Sequence, residues 1–451
     1  MKRLLILMIL ACGTALAGDG HLSLPYIRWT LPNGLDVILH EDHSVSTIAV
    51  DVWYHVGSAR EKPGKTGFAH LFEHLMFEGS QHVPQGKFDE WLEAAGGDNN
   101  GSTTNDRTNY YEVIPNNALA LPLFLESDRM GFLVEAMSPG KVNAQRDVVK
   151  NERRENYDNE PYGLASLSIE ENLFPENHPY HWPVIGSMED LASASYQDVV
   201  DFFRKYYVPS NATLVIAGDV NVDTTKDLVE TWFHDVPGGP AVPPQAAPPV
   251  FLTEQKRVVL EDRVQLPRLY IAWPTPPVFA PGDAEMDILA AILAGGKNSR
   301  LYKRLVYELQ VAQDVSAFQD GRRLASIFEI VVTAREGHRL REIEKLVWEE
   351  IRALTTTPPA PREVERAVNQ IEASFLDRLE SVQMKAELLN MYVAATGNPD
   401  YLNEDLARYK AIDPGDIQAM TATYLRADGC VVLSVFPLGK PELAAPKEGR
   451  P

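Results

Sequence analysis

The chain has 451 residues, of which 45% are hydrophobic and 23% are charged, and its formal net charge is −21. The length suits two domains of roughly 200 residues each, and the composition argues against a disordered or membrane-spanning chain. The negative charge argues against a nucleic-acid partner or an anionic membrane surface, because both require basic patches that offset phosphate charge.

The first residues have the pattern of a secretory signal peptide. Lys2 and Arg3 precede an apolar run, and Ala15-Leu16-Ala17 supplies a small-x-small cleavage site. We therefore expect residues 1–17 to be removed and the mature protein to be periplasmic or secreted. A lipoprotein is the alternative, because residues 9–12 loosely resemble a lipobox that ends in Cys12. Beyond this segment, no apolar run approaches the roughly 18 residues of a transmembrane helix.

Strand and helix patterns occur twice along the chain. Strand-like sequence opens each half, at residues 35–39 and 47–54 and again at 257–260 and 269–273. Helical periodicity follows at residues 127–135, 143–157, 283–293 and 362–379. A Pro/Gly-rich stretch at residues 237–250 can continue neither a helix nor a central strand. These patterns predict an α+β fold with domains at residues 25–236 and 251–440, joined by that linker.

The two halves also resemble each other in their last elements. Asp198 leads through Tyr206 to the apolar strand at residues 213–217, and 218 residues later Asp416 leads through Tyr424 to residues 431–435. The constant offset favours a duplicated module, each copy ending in an amphipathic helix and then a buried strand, with chance similarity as the alternative. We expect each copy to be a mostly antiparallel sheet with helices packed on one face.

The segment Gly67-Phe68-Ala69-His70-Leu71-Phe72-Glu73-His74-Leu75-Met76-Phe77 has helical periodicity. On a helix His70 and His74 lie one turn apart on the same face, so both imidazoles can bind one metal ion, and Glu73 points to nearly the same side. A catalytic zinc ion needs three protein ligands, a water and a carboxylate that accepts a proton from this water. Glu73 suits that last role. The alternative without a metal site is a polar helix face with two ordinary histidines.

The third zinc ligand is expected to be an acidic residue on another helix. Residues 145–155 are the best candidate segment, and Glu152 lies 78 residues after His74. Glu155 lies one turn further on, so spacing alone leaves both carboxylates open.

Three motifs resemble the pitrilysin-type (inverzincin) metallopeptidases, in particular the branch of the mitochondrial processing peptidase and its bacterial relatives. They are residues 67–80, the segment from Gly96 to Thr103 with Thr108-Asn109-Tyr110-Tyr111, and the helix at residues 148–154. The resemblance implies a zinc endopeptidase in which His70, His74 and Glu152 bind Zn²⁺ and Glu73 is the general base. It also implies that Asn100 belongs to an edge strand to which an extended substrate adds, with an ordinary turn residue in a Gly/Asn-rich loop as the alternative.

The sequence departs from this family at Gln145. Members of the family usually have a glutamate seven residues before the third ligand, where it supports the site by accepting a hydrogen bond from a histidine ligand. Gln145 occupies that position here, and its amide is a less basic acceptor.

A second departure lies in the second half. Family members that act alone contribute an Arg and a Tyr, seven residues apart, whereas Val306 and Gln313 occupy the matching positions. Arg304 or Tyr307 could substitute if the register differs. We therefore expect a heterodimer with a homologous subunit that lacks zinc ligands, or a homodimer.

Two other functions remain open at this stage. The fold also serves as a non-enzymatic scaffold, for which the His-x-x-Glu-His motif would have no use. A zinc hydrolase that acts on something other than peptides is the second alternative. If the two halves enclose a chamber, short or unfolded peptides would be preferred over folded proteins.

Overall fold

The computed structural model describes residues 22–445. The predicted signal peptide and Cys12 lie outside these residues. The strands of the first half are β1 (Ile27–Thr30), β2 (Asp36–Glu41), β3 (Thr47–Tyr54), β4 (Asp98–Thr103), β5 (Thr108–Pro115) and β6 (Ala212–Gly218). Its helices are α1 (Phe68–Leu75), α2 (Lys87–Ala94), α3 (Ala120–Ala136), α4 (Pro139–Arg153), α5 (Leu164–Leu173), α6 (Met188–Ser193), α7 (Tyr196–Tyr206) and α8 (Val222–Phe233).

The second half repeats this alternation of strands and helices. Its strands are β7 (Lys256–Asp262), β8 (Arg268–Thr275), β9 (Ala312–Asp320), β10 (Ser326–Ala334) and β11 (Val431–Pro437). Its helices are α9 (Asp283–Ala294), α10 (Leu340–Thr356), α11 (Pro361–Arg378), α12 (Val382–Thr396), α13 (Leu402–Lys410) and α14 (Pro414–Tyr424). Two π-helical segments, Arg154–Asp158 and Tyr302–Glu308, follow α4 and α9.

The two sheets share a five-stranded topology, to which the first sheet adds β1 at its edge. The first has the strand order β1-β2-β6-β3-β5-β4 and the second β7-β11-β8-β10-β9. Among the strands of residues 22–445, one pair in each sheet is parallel, β2 with β6 and β7 with β11. The last strand of each half takes the same place in its sheet, because β6 lies between β2 and β3 and β11 lies between β7 and β8. The constant offset of the two sequence patterns suggests the same correspondence. The predicted α+β fold with two homologous, mostly antiparallel domains is confirmed.

Each sheet packs helices of its own half on one face and a helix of the other half on the second face. In the first sheet, Val50 and Val52 pack with α1, α3, α7 and α8, whereas Ala49 on the opposite face packs with α12. In the second sheet, Leu433 and Ala272 pack against Ala165 and Ile169 of α5. The halves therefore exchange helices, and apolar burial ties them together.

Polar contacts reinforce the exchange at α12. The carboxylate of Asp51 on β3 is buried and accepts hydrogen bonds from Asn390 of α12 at 3.0 Å, from Asn109 at 3.2 Å and from the indole of Trp53 at 3.0 Å. Lys385 of α12 forms an ion pair with Asp42 at 2.5 Å. The burial of Asp51, above all, raises its pKa to about 7.

The raised pKa of Asp51 predicts how stability depends on pH. The folded state holds this proton up to about pH 7, whereas an unfolded chain releases it near the ordinary aspartate value of about 4. Stability from this group is therefore fully present below pH 4 and is lost as the pH rises through 7. We expect the free energy of unfolding of wild type, relative to Asp51→Asn, to fall between pH 5 and 8 in urea titrations. A difference that is constant across this range would contradict the assignment.

The stretch after α8 has neither helix nor strand up to residue 252. The domain boundaries proposed around residues 237–250 stay a prediction. Within residues 22–445, no helix is both long and apolar enough to cross a membrane.

Candidate metal centre

Helix α1 begins at a sharp turn with a buried carboxylate at its start. Gly67 has a φ of 86°, a conformation that favours glycine, and a Cβ here would lie 2.9 Å from the side chain of Leu191. The carboxylate of Glu61 accepts hydrogen bonds from the backbone N–H groups of Gly67 and Ala69 at 2.9 and 2.8 Å. These contacts satisfy donors that a helix N-terminus leaves unpaired. Burial raises the pKa of Glu61 to about 8, although the hydrogen bonds from the backbone partly offset this effect.

The apolar face of α1 anchors the helix. Phe68, Leu71, Phe72 and Leu75 are at most 3% exposed and belong to the core of the first half. His70 and His74 are directed towards α4, because both imidazoles lie near the carboxylate of Glu152 on that helix. The apolar spacing of α1 thereby determines the direction in which the two histidines point.

Helix α4 brings Glu152 to these imidazoles. It begins at Ser138, whose hydroxyl accepts a hydrogen bond from the N–H of Lys141 at 3.3 Å, and Pro139 occupies its first turn. Val142 and Val149 are buried, and they hold α4 in the core of the first half beside α1. The helix ends at Arg153, and a π-helical segment begins at Arg154, two residues after Glu152.

His70, His74 and Glu152 form a compact set of potential metal ligands. Their ligand atoms all lie within 4.8 Å of one another. The Glu152 carboxylate is 3.1 Å from His74 Nε2 and 3.6 Å from His70 Nε2, and the imidazole rings are nearly perpendicular, at 86°. Ligands about 2.0–2.1 Å from a tetrahedral zinc ion are roughly 3.3 Å apart, so the donor types and the separations to Glu152 both suit zinc.

The charges of the three groups are coupled. The hydrogen bond from His74 holds the pKa of Glu152 below its usual range, so this carboxylate is anionic at neutral pH. Burial lowers the pKa of His70, an effect that Glu152 and Glu73 partly offset. Neutral imidazole and anionic carboxylate are the states in which these side chains bind a metal. His70 Nδ1 is buried and has no hydrogen-bond partner among the described residues.

Glu73 and Glu155 have different positions. Glu73 is partly buried on α1, close enough to His70 to raise the pKa of its imidazole. Glu155, the other candidate for the third ligand, is exposed in the π-helical segment, and the compact set contains Glu152 instead.

Gln145 lies against Glu78 and not against an imidazole. Its amide donates a hydrogen bond to the Glu78 carboxylate at 2.5 Å, and Glu78 also accepts a hydrogen bond from Gln85. Glu78 follows His74 by four residues, just beyond α1, so this contact ties the end of α1 to α4. Sequence reasoning missed Glu78, although the four-residue spacing from a histidine ligand could have indicated it.

Asn100 lies on β4, the outermost strand of the first sheet on this side. Its side chain is exposed and accepts a hydrogen bond from the N–H of Gly101 at 2.8 Å. The strand lies next to α1 and α2. An edge strand has unpaired backbone groups with which an extended peptide can form a further strand.

Val306 and Gln313, the positions that match the family's Arg and Tyr in sequence, lie on different elements of the second half. Val306 is partly buried in the π-helical segment Tyr302–Glu308, and Gln313 is exposed on β9. Arg304 forms ion pairs with Glu349 and Glu350, the latter at 2.7 Å. Tyr307 is 74% exposed.

Comparison with known proteins identifies the family. Residues 36–178 match the profile of insulinase (peptidase family M16), and residues 193–371 match that of the peptidase M16 inactive domain. The zinc protease PqqE of Helicobacter pylori is 28% identical, over 90% of this chain and 93% of its own. The mitochondrial-processing peptidase subunit beta of Blastocladiella emersonii is 24% identical, over 83% and 81%. The crystal structure of a protease from Helicobacter pylori superposes with a TM-score of 0.86 at 26% identity, over 92% and 99%. The chain belongs to the pitrilysin-type peptidase family M16.

Proposed function

We propose that the chain is a zinc-dependent endopeptidase that hydrolyses peptide bonds in short or unfolded peptides. The observation that carries the proposal is the convergence of His70, His74 and Glu152, whose ligand atoms lie within 4.8 Å of one another. Two imidazoles and one carboxylate are a donor set typical of catalytic zinc, and three protein ligands leave a coordination position free for water. Relatives named zinc proteases support the same cofactor.

The proposed mechanism assigns a separate role to each residue. His70, His74 and Glu152 would hold Zn²⁺, which when bound polarises the scissile carbonyl and makes water more acidic. Glu73 would accept a proton from the attacking water and return it to the leaving amine, so that one water is consumed for each peptide bond broken. Asn100 and the free edge of β4 would bind the substrate backbone, and main-chain pairing of this kind by itself makes little demand on the substrate's side chains.

Gln145 is proposed to support the site through Glu78. Its hydrogen bond at 2.5 Å fixes the end of α1 relative to α4, and hence the distance between the histidines and Glu152. This role differs from the direct support of a histidine that the family resemblance implies.

Full activity is proposed to require a second subunit. Val306 and Gln313 occupy the positions at which relatives that act alone have Arg and Tyr. Arg304 forms ion pairs with two glutamates of α10, so its charge is already neutralised and does not replace the missing Arg. A homologous subunit without zinc ligands would contribute the missing groups, and a homodimer is the alternative. One relative is itself named as a subunit. We further propose a periplasmic or secreted location, because residues 1–17 have the pattern of a signal peptide. The mass of the N-terminal peptide of the mature protein would test whether these residues are removed.

The scaffold alternative makes a clear contrast with this proposal. A scaffold would hold no stoichiometric zinc and would cleave no peptide. A zinc hydrolase for other substrates would hold the metal but leave peptides intact.

The function is tested by digesting a library of unstructured peptides with the purified mature chain, alone and with its homologous partner. We expect cuts inside the peptides, with a rate that is proportional to bound zinc, is lost on chelation and rises when the partner is added. Stoichiometric zinc without any cleavage, with or without the partner, would contradict the endopeptidase. Full activity of the monomer, unchanged by the partner, would contradict only the second subunit.

A further inference from the structure

Arg107 lies in the turn between β4 and β5, beside the proposed substrate strand. Its guanidinium covers a row of three side chains that are directly opposite one another on β4, β5 and β3, namely Ser102, Asn109 and Trp53. The guanidinium carbon is 4.9 Å from the centroid of the Trp53 ring. This cation–π contact holds the guanidinium on one face of the sheet.

The hydrogen bonds of Arg107 leave most of its donors free. One terminal nitrogen, Nη1, donates to the backbone carbonyl of Ser102 at 3.0 Å, to the hydroxyl of Ser102 and to Asn109 Oδ1 at 2.9 Å. Among residues 22–445, no hydrogen bond or ion pair engages Nε or Nη2, and neither atom is sealed from solvent. Three N–H groups of a partly buried cation are therefore available to a ligand.

Acidic residues surround Arg107 without neutralising it. Asp51, Glu387 of α12 and Glu73 raise its pKa, yet burial has the larger effect and lowers it. None of these carboxylates forms an ion pair with the guanidinium within the described chain. An arginine remains protonated in such surroundings, so a partly desolvated positive charge lies beside β4 without a direct counterion.

The free edge of β4 determines which side chains of a bound peptide can reach the Arg107 guanidinium. Side chains of a peptide that adds to β4 alternate between the two faces of the sheet, and every second one lies on the face of Asn100 and Ser102. Neighbouring strands are about 4.8 Å apart. A peptide side chain opposite Ser102 is therefore within reach of the guanidinium that donates to the Ser102 hydroxyl.

We propose that Arg107 is a specificity-determining residue that binds an aspartate or glutamate side chain of the substrate peptide on the outer side of β4. The acidic residue occupies one fixed position relative to the scissile bond, on the face of the sheet that carries Asn100 and Ser102. This inference rests on the proposed endopeptidase function and adds a substrate class to it. Peptides with a suitably placed acidic residue are cleaved in preference to their neutral counterparts.

A structural role for Arg107 makes a different prediction. If the guanidinium only joins Ser102 to Asn109, its loss would weaken β4 and lower the cleavage of all peptides equally. A ligand-binding role instead changes the ratio between two peptides that differ in one charge.

The experiment compares internally quenched peptides that differ only by Glu or Gln, with the substitution scanned along the residues flanking the cleavage site. Wild type, Arg107→Gln and Arg107→Lys are assayed in the full complex, and Arg341→Gln serves as a control because Arg341 is exposed on α10. We expect wild type to prefer the Glu peptide at one position, by about ten- to hundredfold in kcat/KM. Arg107→Gln should reduce this ratio to near one, Arg107→Lys should restore part of it, and Arg341→Gln should leave it unchanged.

Binding of the same peptides separates this inference from the catalytic proposal. Fluorescence anisotropy with the labelled Glu and Gln peptides measures the preference even if no peptide is cleaved. A Glu preference in binding that Arg107→Gln removes supports the anion site, whatever the outcome for cleavage. The anion site is overturned if wild type binds and cleaves the Glu and Gln peptides equally well. It is also overturned if Arg107→Gln keeps the wild-type ratio between the two peptides.

Discussion

The Glu73→Gln variant is expected to retain its metal and to lose peptide cleavage, with kcat lowered by about 10²- to 10⁴-fold. The glutamine side chain is nearly the same size as the glutamate it replaces and would lie on the same face of α1, so His70 and His74 should keep their positions. The amide cannot accept the proton that the attacking water must lose. Steady-state cleavage of a quenched peptide, normalised to zinc content, measures the effect.

A matched control separates the loss of the base from a general change of charge. Glu93 is exposed on α2, outside the metal centre, and Glu93→Gln removes the same charge. This control should retain wild-type cleavage. A Glu73→Gln protein that cleaves at the wild-type rate per zinc would remove Glu73 from the mechanism. A variant that loses its zinc would assign Glu73 to metal binding.

Local pattern was sufficient to predict several elements and half of the candidate site. Strand β3 spans the predicted residues, and α9 and α11 begin and end within one residue of prediction. The relation between His70, Glu73 and His74 depends only on helix geometry, because all three lie within one turn of α1. Such relations can be read from sequence, since no distant part of the chain decides them.

Helical spacing alone could not choose between Glu152 and Glu155; the family resemblance favoured Glu152, and the tertiary structure supplies the physical reason. Both lie on one continuous helical stretch, and its periodicity says nothing about which residue faces α1. The burial of Val142 and Val149 sets the rotation of α4, and the change to π-helical pairing after Arg153 redirects the following residues. Glu155 consequently lies exposed, whereas Glu152 meets the imidazoles.

The exchange of α5 and α12 between the halves was not predicted. The pattern of an amphipathic helix shows that it covers an apolar surface but does not identify the sheet that provides it. The exchange matters for the site, because α12 carries Asn390 and Glu387 to the face of the first sheet on which Arg107 lies. The second half, which lacks the metal motif, thus contributes charge and hydrogen bonds close to the candidate active site.

The Glu152→Gln variant is expected to bind zinc more than about 100-fold more weakly than wild type, since even changes behind the ligands cost up to that factor. Glu152 is the only anion in the ligand set, and the loss of its charge leaves two neutral imidazoles one helical turn apart. Competition with a chromophoric chelator measures the affinity, and peptide cleavage should fall in parallel at limiting zinc.

Glu155→Gln is the matched control for this prediction, because it removes the same charge one turn further along the same stretch. It should bind zinc within about twofold of wild type, since an exposed carboxylate outside the ligand set contributes only weak, screened attraction. Weakened binding in Glu155→Gln with normal binding in Glu152→Gln would reverse the assignment of the third ligand. Normal binding in both variants would mean that the histidines bind zinc without either carboxylate, and the proposed active site would then lack its third protein ligand.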